Sequence, residues 1–138
     1  MDRRLHIGGT QRAEGWEVFN IEPADYVDHV GNASDLSRFT DETFSVLYAS
    51  HILEHIDYLH AVEKTLTEWR RVLVPGGMIC ISVPDLEILG SLLLLKDRYD
   101  VNDRYLLMRM IYGGHHTEND YHYAGFTDDL LQVYLMKS

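Results

Sequence analysis

Residues 44–85 carry the clearest pattern in the chain. Residues 45–50 form a short apolar run ending in small side chains. From 59 to 73 apolar residues recur at helical spacing, with Leu59, Val62, Leu66, Trp69, Val72 and Leu73 on one stripe. Pro75, Gly76 and Gly77 then stop the helix and turn the chain, since proline cannot continue a helix and glycine tolerates positive φ. Residues 78–83 are nearly all apolar, the pattern of a strand buried on both faces of a parallel sheet. Strand, helix and strand in sequence make a βαβ unit. Such a unit implies an open α/β sheet, whose ligands bind at the carboxyl ends of its strands. Further on, the stripe Leu86, Leu89, Leu92, Leu93, Leu95 and the segment 130–136 read as helices.

Composition narrows the classes. With 138 residues, 46% of them hydrophobic, the chain is expected to form a single domain over 1–138 with a real core. No run reaches the roughly 18 apolar residues of a membrane span. Met1-Asp2-Arg3-Arg4 leads straight into a strand instead of an apolar signal segment, which points to a cytoplasmic protein. A net charge of −10 without a basic block argues against a nucleic-acid surface. Cys80 is the only cysteine; inside a predicted strand it reads as a buried, inert thiol. Trp16 and Trp69 read as core.

Several segments carry chemistry at the predicted strand ends. Leu5-His6-Ile7-Gly8-Gly9-Thr10 puts a glycine pair after the first strand. Gly15-Trp16-Glu17-Val18-Phe19-Asn20-Ile21-Glu22-Pro23 gives the second strand and a polar end. Gly31-Asn32-Ala33-Ser34-Asp35-Leu36 follows the third, Leu53-Glu54-His55 the fourth, and Trp69-Arg70-Arg71-Val72-Leu73-Val74-Pro75-Gly76-Gly77 precedes the fifth. In order and spacing these segments resemble the S-adenosylmethionine-dependent methyltransferases of the Rossmann-like superfamily, closest to the small type 11 group, over roughly residues 5–136. The resemblance implies an α/β Rossmann-like methyltransferase sheet, mostly parallel, in the order 3-2-1-4-5. Two departures are expected. The first crossover, residues 10–15, is too short for the helix such a connection ordinarily holds. The family's last strands are missing, which fits either a chain truncated at its carboxyl end or a whole gene product with a five-stranded sheet. The fifth strand would then be an open apolar edge, to be covered by a second copy in a homodimer or by residues 86–112.

The implied cofactor is S-adenosylmethionine. Gly8 and Gly9 would let the backbone approach it closely. Asn20 stands where the family has the acidic residue that reads the ribose hydroxyls, with Glu22 two residues on and on the same side of the strand. Asn32, followed by Ala33, stands where the family reads the adenine amino group. Ser50 and His51 fall at the cofactor edge of the fourth strand.

In-line methyl transfer gains most from positioning, and a general base adds roughly 10²–10⁴-fold where the acceptor carries a proton. The acceptor-side candidates are His51, His55 and His122, with Glu54 and Asp85 also at strand ends. His122 belongs to the polar loop 113–123. Its His115, His116, Asp120 and His122 match no recognised zinc spacing, so the loop reads as solvated and no metal is expected. Glu54 reads as a helix cap or a partner of Arg70 or Arg71. The sequence thus points to a methyltransferase acting on a small-molecule or sugar-containing acceptor, the latter suggested by the settings of relatives. The alternative is a degenerate methyltransferase fold serving as a binding or assembly module. A nicotinamide-dependent dehydrogenase is rejected, because the third glycine and following helix of GxGxxG are absent after Gly8 and Gly9.

Overall fold

The computed structural model describes residues 2–138. Five strands form one sheet: β1 (Arg4–Ile7), β2 (Glu17–Asn20), β3 (His29–Val30), β4 (Phe44–Ser50) and β5 (Leu73–Ser82). Their order is β3-β2-β1-β4-β5 and every pairing is parallel, the Rossmann-like arrangement expected. Four helices accompany them: α1 (Val62–Val72), α2 (Leu86–Leu94), α3 (Val101–Tyr112) and α4 (Asp128–Lys137).

The core lies on one face of the sheet. Leu5, Ile7, Leu47 and Ala49 point to it and are at most 1% exposed. α1 seals them with Val62, Leu66, Trp69 and Val72, and α4 packs beside α1. Between β1 and β2 there is no helix, only turns and bends, as the short crossover required.

Three local expectations are corrected. Leu59 lies outside α1 and is largely exposed, because Asp57 takes the amides of Leu59, Ala61 and Val62 into a turn that delays the helix. Pro75, Gly76 and Gly77 do not end the helix. α1 passes directly into β5 at Leu73, and the three residues bulge out of the strand, so that the step from Phe44 to Val46 on β4 faces the step from Leu73 to Met78 on β5. Gly76, at φ +77°, makes that bulge possible. Residues 78–83 are not buried on both faces. Ile79 and Ile81 pack on the core, whereas Met78 is 60% exposed and Cys80 half-buried, because β5 is an edge strand with no layer over its second face. Residues 86–112, a predicted cover, fold into α2 and α3, which pack on each other. Asp85 is the N-cap of α2, its carboxylate accepting from the amides of Glu87 and Ile88.

Candidate functional site

A cleft of about 220 Å³ opens at the carboxyl ends of β1, β2 and β3 and beside the turn after β4. Ile7 and Gly8, Phe19, Asn20 and Ile21, then Gly31, Asn32 and Ala33 form its sheet side. Ile52, His55 and Ile56 form the facing wall, and Glu118, Asn119 and Tyr123 close over it.

The glycines act through close approach. Gly8 has φ +76°, and a Cβ there would lie 2.0 Å from the Ile52 side chain. Gly31 leaves room for the Phe19 ring, which a Cβ would meet at 2.7 Å. Asn20 ties the floor together: its Nδ2 donates to the Gly9 carbonyl at 2.9 Å, and its Oδ1 accepts from the Glu22 amide at 3.1 Å. An aspartate could not make the first of these bonds, which gives the asparagine a local reason. Asn32, which lines the cleft, has its Oδ1 accepting from the Ser34 amide at 2.9 Å, which leaves its Nδ2 and one lone pair for a ligand.

Sequence reasoning missed what holds this wall. Trp69, fully buried on α1, donates its indole N–H to the Ala33 carbonyl at 2.8 Å. Arg71 donates to the carbonyls of Leu36 and Phe39 and is itself fixed by Glu68 and Asp41. The helix motif therefore serves the loop after β3 as well as the core. The Trp-Arg-Arg run carried that signal only once its tertiary neighbours were known.

The titratable groups gather at the other end. After β4 the chain makes a short 3₁₀ turn, Leu53–His55, and the Glu54 carbonyl accepts from the amides of Tyr123 and Ala124 at 2.7 and 3.1 Å. That contact carries His122 to Glu54 and His55. One potential ligand atom from each of Glu54, His55 and His122 lies within 4.8 Å of the others. The two rings stand edge to face, centroids 4.7 Å apart. Glu54 is 1% exposed; its Oε1 accepts from His51 Nδ1 at 3.1 Å, while Oε2 is buried without a partner. Burial pushes the Glu54 carboxyl above its ordinary value, against the pull of His51 and His122. Burial, and then the neighbouring His55, push the His122 imidazole down. His51 itself is exposed and held at φ 55°, a costly conformation for a residue other than glycine.

The predicted residues therefore divide. Gly8, Asn20, Asn32, Ala33 and His55 line the cleft. Gly9 lies buried behind it, Ser50 sits in the β4–β5 register opposite Ser82, and Glu22 is exposed at the rim. His51 bonds Glu54 Oε1, and His122 brings a ligand atom within 4.8 Å of a Glu54 oxygen. Glu54 makes neither of the arginine pairs expected of it, since Arg71 pairs with Glu68 and Asp41 and Arg70 donates to the Ser138 carbonyl. The loop after α3 is tied down: Gly113 bridges to Tyr121, and the His115 ring stacks on Tyr121 at 3.8 Å.

The profile of a family described as "Methyltransferase domain" matches residues 10–81, which include the cleft's β2–β3 side and all of α1. The chain belongs to the type 11 methyltransferase domain family. Solved structures of methyltransferases share its fold. Over 99% of this methyltransferase-family chain, the CurJ carbon methyltransferase aligns with a TM-score of 0.61 at 15% identity. A Bacillus halodurans C-125 protein assigned as a methyltransferase aligns over 99% with a TM-score of 0.58 at 18% identity. The chain spans 40% of the length of the first and 58% of the second. No curated protein matches it in sequence.

Proposed function

We propose that the chain binds S-adenosylmethionine in this cleft and transfers its methyl group to a small-molecule or sugar-containing acceptor, acting as one methyltransferase domain. The observation that carries the reading is the cleft itself: a glycine-floored groove at the carboxyl ends of β1–β3, walled by the loop that Trp69 anchors.

The residues present fit the cofactor. Gly8 and Gly31 keep the floor free of side chains, Asn20 and Asn32 offer neutral polar groups for ribose and adenine, and Ile21, Ala33, Ile52 and Ile56 give the apolar walls a flat base needs. Glu22 can turn toward the ribose from the rim, whereas Gly9, Ser50 and His51 lie outside the lining of the cleft. When bound there, S-adenosylmethionine supplies an activated methyl carbon, from which the acceptor's lone pair displaces a neutral thioether. The protein's part is to hold the acceptor in line and to remove its proton. His55, on the cleft wall, faces that reaction space, with His51 and His122 as its titratable neighbours through Glu54. Tyr121 and Tyr123, partly exposed and stacked 6.3 Å apart beside the cleft, offer aromatic faces to a sugar or other ring. The open edge of β5 is where a second copy would pair to make the homodimer. No helix among the described residues is long and apolar enough to cross a membrane.

Calorimetric titration with S-adenosylmethionine and S-adenosylhomocysteine tests the reading. Micromolar binding, about 8 kcal/mol, supports it. No heat and no thermal shift at millimolar ligand would overturn it in favour of the degenerate binding module, for which the missing first crossover helix speaks.

A further inference from the structure

We infer that Glu54, His55 and His122, of which His55 alone borders the cleft, form a three-ligand site for a divalent first-row transition-metal ion. Three independent features meet there. Their potential ligand atoms already lie within 4.8 Å of one another, and an ion about 2.1 Å from each would hold them no more than about 4.2 Å apart. Small side-chain adjustments close that gap.

Both imidazoles have a backbone partner that sets the tautomer ligation needs. His55 Nδ1 lies 3.0 Å from the Tyr121 carbonyl and His122 Nδ1 lies 3.2 Å from the Ile111 carbonyl. A carbonyl can only accept, so each Nδ1 carries the proton and each Nε2 keeps its lone pair. Outer-layer bonds to backbone carbonyls of this kind are what metal-binding histidines ordinarily make. The third feature is the carboxylate. Glu54 is 1% exposed, its Oε1 is taken by His51, and its Oε2 has no partner. A buried carboxylate oxygen without a partner is costly, and a cation bound to it removes the cost.

Two neutral nitrogens and one carboxylate oxygen are a borderline donor set that suits Zn²⁺, Co²⁺, Fe²⁺ and Mn²⁺ better than Ca²⁺ or Mg²⁺. Three protein ligands leave coordination positions open, and His55 borders the cleft where an acceptor would lie. An acceptor hydroxyl or carboxylate taking an open position would be oriented, and a hydroxyl acidified, without a separate base. That last role rests on the methyltransferase reading; the site itself does not. The loop that looked like a solvated histidine cluster contributes only His122, because the bond from Tyr123 to the Glu54 carbonyl selects it.

The test is calorimetric titration of tag-free protein with Zn²⁺, and spectroscopic titration with Co²⁺, both without S-adenosylmethionine. The expected result is one equivalent bound at micromolar affinity or tighter, with visible Co²⁺ bands. His122→Ala and Glu54→Gln should each weaken binding 10- to 100-fold or more, and the double variant His115→Ala/His116→Ala should leave it unchanged. A melting-temperature rise with Zn²⁺, present in the wild type and lost in His55→Ala, guards against a variant that merely misfolds. No saturable binding to folded wild-type protein would overturn the site, and so would binding that survives His55→Ala/His122→Ala. Failure to bind S-adenosylmethionine by a protein that still takes up Zn²⁺ would count against the proposed function alone.

Discussion

The two faces of the sheet are built to different standards. On one, Leu5, Ile7, Leu47 and Ala49 lie under α1 and α4 and are excluded from solvent. On the other, the same strands present Val18, His6, Tyr48 and Cys80 in one row, by the register of β2, β1, β4 and β5. There Tyr48 is 36% exposed, and His6, Trp16 and Tyr48 cover one another edge to face in place of a helix. Trp16, a predicted core residue, belongs to this partial cover. The cause is the link between β1 and β2, which has no room for a helix, so the layer that would pack here does not exist. The fold therefore stands on one packed layer, and the cleft's wall is anchored from that layer by Trp69 and Arg71. Stability and candidate function draw on the same helix.

The largest expected effect is on the sealed face. Trp69→Ala should cost about 3–5 kcal/mol in denaturant unfolding, from lost packing and the lost bond to Ala33. Trp69→Phe keeps most of the packing; it should cost about 1 kcal/mol in stability yet weaken S-adenosylhomocysteine binding, because the loop of Asn32 and Ala33 loses its tether. Unchanged ligand affinity in Trp69→Phe would separate the core from the cleft.

Next comes a contrast between neighbours on β4. Leu47→Ala should cost about 2–5 kcal/mol and Tyr48→Ala about 1 kcal/mol or less, although tyrosine is the larger side chain. Equal losses would mean that the second face is covered in solution.

The margin of the sealed face should respond to acid. Arg3 and His29 both bond the Glu17 carboxylate, and mainly the Arg3 guanidinium pulls it from 4.5 down to about 2. A lowered carboxyl stabilises the fold fully above about pH 4.5 and loses that contribution as pH falls toward 2. At 1.36 kcal/mol per unit the shift is worth at most about 3 kcal/mol, and partial solvation leaves about 1–2 kcal/mol. Glu17→Gln should flatten the stability profile between pH 2 and 5 by that amount; a profile that keeps the wild-type slope there would remove Glu17 from the account.

The smallest effect concerns the open face. Cys80, half-buried on β5, should react with a thiol reagent in the native state, and Cys80→Ser should change stability by less than about 0.5 kcal/mol. Protection of the thiol without unfolding would point to a second copy seated on that face.

The fold was legible wherever local pattern and family order agreed. The helix stripe Val62, Leu66, Trp69, Val72 found its side of the sheet, and the glycine at position 8 found its turn. Boundaries were less legible: Leu59 carries the helical spacing, but an aspartate two residues earlier captures the amides that would have started the helix. The buried strand expected at 78–83 failed for a different reason, since an apolar run has the same appearance in a central strand and in an edge strand whose cover is absent.

By itself the sequence determined the parallel sheet, its order through the family resemblance, the glycine and asparagine positions of the cleft and the absence of a first crossover helix. The βαβ unit and the missing crossover helix follow from periodicity, turn chemistry and chain length, all of which are local; the sheet order and the cleft positions come through the family resemblance. Only the tertiary structure decided which polar groups meet. Glu54 and His122 are far apart in the chain, and nothing in either segment marks the other. Burial of Glu54 under the returning segment left one oxygen without a partner and set two imidazoles beside it, because the Tyr123 and Ala124 amides bind the Glu54 carbonyl. Long-range hydrogen bonds and shared burial have no period to read, so the site's chemistry appeared only when the chain had closed on itself.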